Sequence, residues 1–197
     1  MARMLGALVA DAGLPAVALR GDRDAAITGV VYDSRRVEVG SLFCCVRGLS
    51  SDGHQFAAAA VAAGATALLV DHPLDVEAAQ ILVGDTRSAM GLLAAAFFGH
   101  PSRSLTVVGV TGTNGKTTTA SLIAAVLESD GTPTGIIGTL TGKHTTPEAP
   151  ELQAQLAQFV ADGKRAVVME VSSHALALHR VDGTRFALAV FTNLGRD

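Results

Sequence analysis

The sequence predicts an α/β fold in two parts. Three observations carry that prediction. Short apolar strands alternate with alanine-rich helical segments through the first hundred residues. A β-branched run, Thr106 to Val110, breaks into Thr111-Gly-Thr-Asn-Gly115 and then into a helical period that opens on Lys116. Between them lies His100-Pro-Ser-Arg-Ser104, a polar, proline-containing stretch that reads as a linker. The expected domains are residues 1–100, a small α/β unit, and 101–197, a P-loop α/β unit.

In order, Met4 to Ala12 reads as an amphipathic helix ending near Gly13, a better fit than a signal sequence because Asp11 interrupts the apolar run. Ile27 to Asp33 and Leu42 to Val46 read as strands. Gln55 to Ala63 is a helix closed by Gly64. Ala67 to Val70 and Ile81 to Val83 are short buried strands, and Arg87 to Phe98 is a long helix before Gly99 and Pro101. In the second part, the helix after Lys116 puts Ala120, Ile123, Ala124 and Leu127 on one side and is capped by Gly131. Gly135 to Leu140 reads as a strand, and Thr141 to Thr146 as a polar loop. Pro147-Glu148 opens a helix through Ala161, ended by Gly163. Ala166 to Val171 and Phe186 to Thr192 are the last strands.

Composition narrows the function. Of 197 residues, 49% are hydrophobic and 17% charged, with net charge -3. No basic surplus points to nucleic acid, and with no Trp and one Tyr there is little aromatic surface for stacking bases. No run of 18 uncharged apolar residues suggests a membrane span. The adjacent Cys44 and Cys45 lack metal-ligand spacing and read as reduced core residues of a cytoplasmic protein.

The chemistry centres on residues 111–118. Backbone N–H groups of a glycine loop at a helix N-terminus face an anion, and the helix dipole favours negative charge there. Lys116 can reach a β/γ-phosphate and the Thr117 hydroxyl can ligate Mg²⁺. The general P-loop spacing asks for glycine where Val110 stands, so a plain strand-turn-helix with a surface lysine is the competing reading. Glu170 interrupts an apolar strand at its C-terminal end, where an open α/β sheet binds ligands and where a metal-holding acid belongs; a surface or salt-bridged glutamate is the alternative. Ser172-Ser-His174 starts a helical turn. His174 is a candidate catalytic residue or a capping or core histidine. Asp33-Ser-Arg35 and Arg47-Gly-Leu-Ser-Ser-Asp-Gly-His54 are polar turns that either present hydroxyls and amides to a ligand or serve as turns and caps.

Several segments together resemble the Mur ligases, in particular the members that add the third amino acid of the peptide. They are Tyr32-Asp-Ser-Arg35, Gly40-Ser-Leu-Phe43, Asp52-Gly-His54, Thr111-Gly-Thr-Asn-Gly-Lys-Thr-Thr-Thr119 and Thr145-Thr-Pro-Glu148. Met169-Glu-Val-Ser-Ser-His-Ala-Leu176 with Arg180-Val181, and Thr192-Asn-Leu-Gly-Arg-Asp197, complete the set. The resemblance covers nearly the whole chain. The family's own loop, T-G-T-N-G-K-T-T, accounts for Val110. The glycine loop alone is shared with folylpolyglutamate synthetases, whereas M-E-V-S-S-H-A-L with T-T-P-E is more specific.

The resemblance implies a role for each segment. The first domain would hold the uridine nucleotide of UDP-N-acetylmuramoyl-L-alanyl-D-glutamate through Tyr32, Ser34 and the turn Leu49, Ser50, Ser51. Gly112, Thr113, Asn114, Gly115, Lys116, Thr117 and Thr118 would bind ATP. Thr117 and Glu170 would bind Mg²⁺, and Thr145, Thr146, Ser172 and Arg180 would contact the muramoyl peptide. Lys116, Glu170 and His174 form the expected catalytic set. The implied reaction is ATP-dependent: a γ-phosphoryl group goes to a substrate carboxylate, and the acyl phosphate is attacked by the amine of an amino acid, giving an amide. His144 and Leu178 depart from residues expected in some members. The family has three domains, so the resemblance implies an N-terminal fragment, inactive as a ligase by itself, of a cytoplasmic enzyme monomeric at full length. Another Mur-type ligase and a non-catalytic nucleotide-binding module are the rival readings.

Overall fold

The structure, a computed structural model, describes residues 2–14, 17–48, 51–142 and 144–195. The chain forms two compact units, Met1–Phe97 and Phe98–Asp197.

In the first unit, a two-stranded ribbon joins β1 (Arg3–Met4) to β3 (Ala26–Ile27) antiparallel. The main sheet holds β2 (Ala18–Arg20), β4 (Gly29–Val31), β5 (Ser41–Cys44), β6 (Ala67–Val70) and β7 (Ala79–Leu82) in the order β2-β7-β6-β5-β4. All its pairings are parallel except β2 with β7. The helices are α1 (Leu5–Ala12), α2 (Ala57–Ala62) and α3 (Thr86–Phe97). A parallel sheet is covered on its faces, so its central strands read as continuous apolar runs. β5 and β6 are buried along their whole length. Phe43, Cys45, Leu68 and Val70 pack with Ala57 and Ala60 of α2. Burial pushes the Cys45 thiol up to about 12 and the Cys44 thiol well above its usual range, so both are inert core residues.

Two expectations for this unit change. The strand expected over Ile27 to Asp33 splits at Thr28, because Ile27 pairs with β1 while Gly29 begins pairing with β5. Thr28 N–H donates to the Gly40 carbonyl at 2.9 Å, which holds the break. The helix expected from Gln55 begins as a 3₁₀ turn, Gly53–Phe56, N-capped by Asp52, and only then becomes α2.

The second unit has an all-parallel sheet in the order β11-β8-β10-β9: β8 (Thr106–Thr111), β9 (Thr134–Ile137), β10 (Ala166–Glu170) and β11 (Leu188–Phe191). Its helices are α4 (Lys116–Ser129), α5 (Ala149–Ala161) and the short α6 (Ser173–Ala177). Ala120 and Ala124 of α4 pack with Val108, Val110 and Val168 on one face. Leu152 and Leu156 of α5 pack with Val107, Val167 and Met169 on the other. β11 is an edge strand with Leu188 and Phe191 exposed.

Three expectations change here. His100–Ser104 is not a loose linker: Pro101–Arg103 is a 3₁₀ turn with Pro101 and Ser102 buried, and Ser102 Oγ accepts from Arg185 N–H at 3.0 Å. The helix after the polar loop starts at Ala149, so Pro150, not Pro147, occupies its first turn. The strand expected to Leu140 stops at Ile137, because Thr139 N–H turns to donate to Glu170 Oε1.

Candidate functional site

Parallel pairing builds the site. Glu170, the last residue of β10, lies in register with Val110 of β8, so the carboxylate is delivered beside the loop that leaves β8. That loop turns at Gly112 and Gly115. Gly115 is the N-cap of α4 with φ 82°, a left-handed conformation that glycine adopts without strain. No side chain caps α4, and the N–H groups of its first turn have no carbonyl one turn earlier to bind. Lys116 Nζ folds over the loop and donates to the carbonyls of Gly112 (2.7 Å) and Thr113 (2.9 Å). Thr118 is exposed on the same first turn.

Thr117 Oγ1 donates to Glu170 Oε2 at 2.9 Å, so both expected metal ligands meet. Glu170 is 2% exposed and is held by neutral donors: the Thr117 hydroxyl, Thr139 N–H on Oε1 (2.9 Å) and Thr139 Oγ1 on Oε2 (3.4 Å). A Cβ at Gly138 would collide with Glu170 Oε1, so the carboxylate's position requires a bare backbone there. The chemistry of the set suits a hard divalent cation, a carboxylate and a hydroxyl being oxygen donors of the Mg²⁺ kind.

The expected peptide-contacting residues gather at the same strand end. Thr145 and Thr139 share a hydroxyl–hydroxyl hydrogen bond at 3.0 Å. Thr146 Oγ1 donates to the Glu170 carbonyl (3.0 Å) and accepts from Ser172 N–H (3.1 Å). Ser172 Oγ caps α6 by accepting from Ala175 N–H. Arg180 pairs with Glu148 at 2.8 Å and donates to the Thr146 carbonyl, clamping the 145–148 loop. His174 stands exposed on α6, outside this hydrogen-bonded set.

Sequence reasoning missed Thr139 and the clasp over the loop. Asn193 Oδ1 accepts from Asn114 N–H (3.1 Å) and its Nδ2 donates to the Asn114 carbonyl (3.0 Å). The Thr192 hydroxyl donates to the same carbonyl at 2.7 Å. Thr192 and Asn193 belong to a segment that carries the family resemblance, but their local sequence gives no sign of this contact.

In the first unit, Tyr32 and Ser34 are half-buried just beyond β4, and Ser34 opens the 3₁₀ turn Ser34–Arg36. Asp33 caps that turn: Oδ1 accepts from Arg35 N–H and Nε, and Oδ2 from Nη2. The Arg35 guanidinium and N–H bring the Asp33 carboxyl down to about 2. A depressed folded value means this contribution is complete above the ordinary value of 3.8 and is lost as pH falls through about 2. NMR titration of Asp33 is expected to show that low midpoint, and Arg35→Ala to raise it toward 3.8. Ser51 is exposed beside the Arg47–Asp52 bridge, with its carbonyl accepting from Gly48 N–H. Leu49 and Ser50 lie outside the described residues.

A glycine loop between a parallel strand and a helix, with a carboxylate at the end of the neighbouring strand, defines a P-loop-type nucleotide-binding α/β unit. Residues 110–197 match the Mur ligase middle domain. The chain is 50% identical over 188 residues to the UDP-N-acetylmuramoyl-L-alanyl-D-glutamate–2,6-diaminopimelate ligase of Syntrophomonas wolfei, covering 90% of this chain and 38% of that protein. It is 47% identical over 194 residues to the ligase of the same name from Geobacter sulfurreducens, covering 92% and 38%. A solved structure of a ligase of that name superposes with TM-score 0.83 at 28% identity, covering 100% of this chain and 41% of the other. The MurF ligase from Thermotoga maritima in complex with ADP gives 0.62 at 27% identity, covering 85% and 38%. Residues 110–197 thus belong to the Mur ligase middle-domain family. The chain spans less than two-fifths of the length of the curated relatives described. Among the described residues no helix is long and apolar enough to cross a membrane.

Proposed function

We propose that this chain supplies the uridine-nucleotide unit and the ATP-binding part of an ATP-dependent ligase that adds 2,6-diaminopimelate to UDP-N-acetylmuramoyl-L-alanyl-D-glutamate. The observation that carries the reading is the meeting of Thr117 and Glu170 beside the Lys116 loop, at 2.9 Å. The relatives' shared name supplies the substrates. Mg²⁺ held there would supply charge neutralisation for transfer of the γ-phosphoryl group of ATP. Thr117 and Glu170 would hold the metal, and the first-turn amides of α4 with Gly112 to Thr118 would hold the phosphates. Lys116, now on the loop carbonyls of Gly112 and Thr113, would turn its ammonium to the phosphate oxygens. Thr145 and Thr146, fixed to Glu170 and clamped by Arg180, position the peptide's carboxylate. Positioning and charge stabilisation are the protein's main contributions to such transfers. His174 is the exposed member of the proposed catalytic set. Tyr32, Ser34 and the Leu49-Ser50-Ser51 segment hold the uridine nucleotide.

Titration of the isotope-labelled chain separates the parts. Mg²⁺ with ATP is expected to shift the amides of Gly112 to Thr118, and UDP those near Ser34. Unmoved loop amides at millimolar nucleotide would overturn the ATP assignment, and unmoved Ser34 the uridine one.

A further inference from the structure

We propose that His54, Asp71 and His72 in the first unit form a binding site for a divalent transition-metal ion of the zinc class. The inference is independent of the ligase reading. Asp71 and His72 follow directly on β6, and His54 lies in the 3₁₀ turn before α2. One ligand atom from each, His54 Nε2, an Asp71 carboxylate oxygen and a His72 ring nitrogen, fall within 4.8 Å of one another. His54 Nε2 is 3.2 Å from Asp71 Oδ1, and His72 Nδ1 is 2.5 Å from the same oxygen. A tetrahedral ion with bonds of ~2.0–2.1 Å spaces its ligand atoms ~3.3–3.4 Å apart, so the first distance already fits, and the second must lengthen by about 0.8 Å through rotation of the half-exposed His72 side chain.

The outer contacts are those of a metal centre. His54 Nδ1 bonds to Asp52 Oδ1 at 2.6 Å, while Nε2 accepts from Asp71 N–H at 3.3 Å. Asp52 therefore accepts from Nδ1–H, and the Nε2 lone pair faces Asp71, the arrangement by which carboxylates orient ligating histidines. Arg47 Nε holds the other Asp71 oxygen at 2.9 Å, leaving Oδ1 for an ion. The His54 and His72 rings stack with centroids 4.6 Å apart. The His54 side chain is 5% exposed and that of His72 49%, so the site has a rigid inner ligand and an open side for entry. Two imidazoles and one carboxylate select zinc-like ions over Mg²⁺, which prefers oxygen alone. Binding replaces the proton shared by His72 and Asp71 and the weak Asp71 N–H contact to Nε2. Three protein ligands leave one position for water. The ion would tie the end of β6 to the turn that starts α2.

The test uses the untagged 197-residue chain, stripped with chelator and titrated with Co²⁺ by visible absorption. One equivalent is expected, with the d–d bands of a four-coordinate ion, displaced by Zn²⁺ and not by Mg²⁺. His72→Ala, at the half-exposed ligand, is expected to weaken binding at least about tenfold. Asp71→Asn is expected to do the same. Circular dichroism of each variant confirms its fold. Absence of bands at tenfold Co²⁺ excess, or bands that persist unchanged in a folded His72→Ala chain, overturns the site.

Discussion

Lys116→Ala is expected to lower ligation about a thousandfold in a chain carrying the full length of its relatives, with nucleotide affinity also reduced. Lys116 is the one positive side chain of the 111–118 loop, and its ammonium lies within 2.9 Å of two loop carbonyls. On the phosphates of a bound nucleotide the same ammonium would offset charge that grows as the γ-phosphoryl group leaves. Alanine removes that charge without blocking the helix N-terminus, so binding should survive better than turnover. Lys116→Arg should not restore activity, because a planar fork cannot replace a compact point charge over a tight loop. Steady-state kinetics with unchanged kcat in Lys116→Ala would overturn the loop assignment. The 197-residue chain offers a direct companion measurement, in which ATP titration should show weaker binding in the variant while the circular dichroism spectrum stays the same.

The parts of this unit legible in the sequence are those where local chemistry and tertiary role coincide. Thr106 to Val110 is β-branched except at Gly109 and runs into the glycine loop, so it reads as a strand wherever it packs. Glu170 announces itself because an ionised group in an apolar strand needs a reason to be there. Thr139 and Asn193 carry no such signal: a threonine or asparagine after a strand resembles any turn residue, and what distinguishes these two is a partner 31 or 79 positions away. The split at Thr28 was hidden for a related reason, since two short strands in tandem look like one until their different partners are known. Residues 18–20 form a strand only by antiparallel pairing at the sheet edge with β7. Pro101 and Ser102 have a linker's composition but are buried within the second unit, where Ser102 Oγ accepts from Arg185 N–H. His54 and His72 stand eighteen positions apart without a metal-ligand motif, and only the adjacency of β6 to the preceding turn joins them.

Glu170→Gln is expected to cost the fold about 1–3 kcal/mol and to weaken Mg²⁺-dependent nucleotide binding at least about tenfold. The carboxylate is 2% exposed, and no ion pair to it occurs among the described residues. Its two oxygens accept from three neutral donors, the Thr117 hydroxyl and the Thr139 amide and hydroxyl. Burying a charge on such terms is costly unless a cation completes the site. Glutamine keeps the shape but exchanges one acceptor for an NH₂ group. If that group faces Thr139 N–H, two donors oppose each other; if it faces Thr117, the hydroxyl must rotate away to accept. The bare backbone at Gly138, against which Oε1 is lodged, leaves no room for the side chain to move aside. Thermal denaturation of wild type should show a rise in Tm with Mg²⁺ and ATP together that exceeds the rise with ATP alone. In Glu170→Gln the starting Tm should be lower and the Mg²⁺ increment should vanish. A variant that keeps the full increment would remove Glu170 from the metal site and leave it a purely structural acceptor for Thr117 and Thr139.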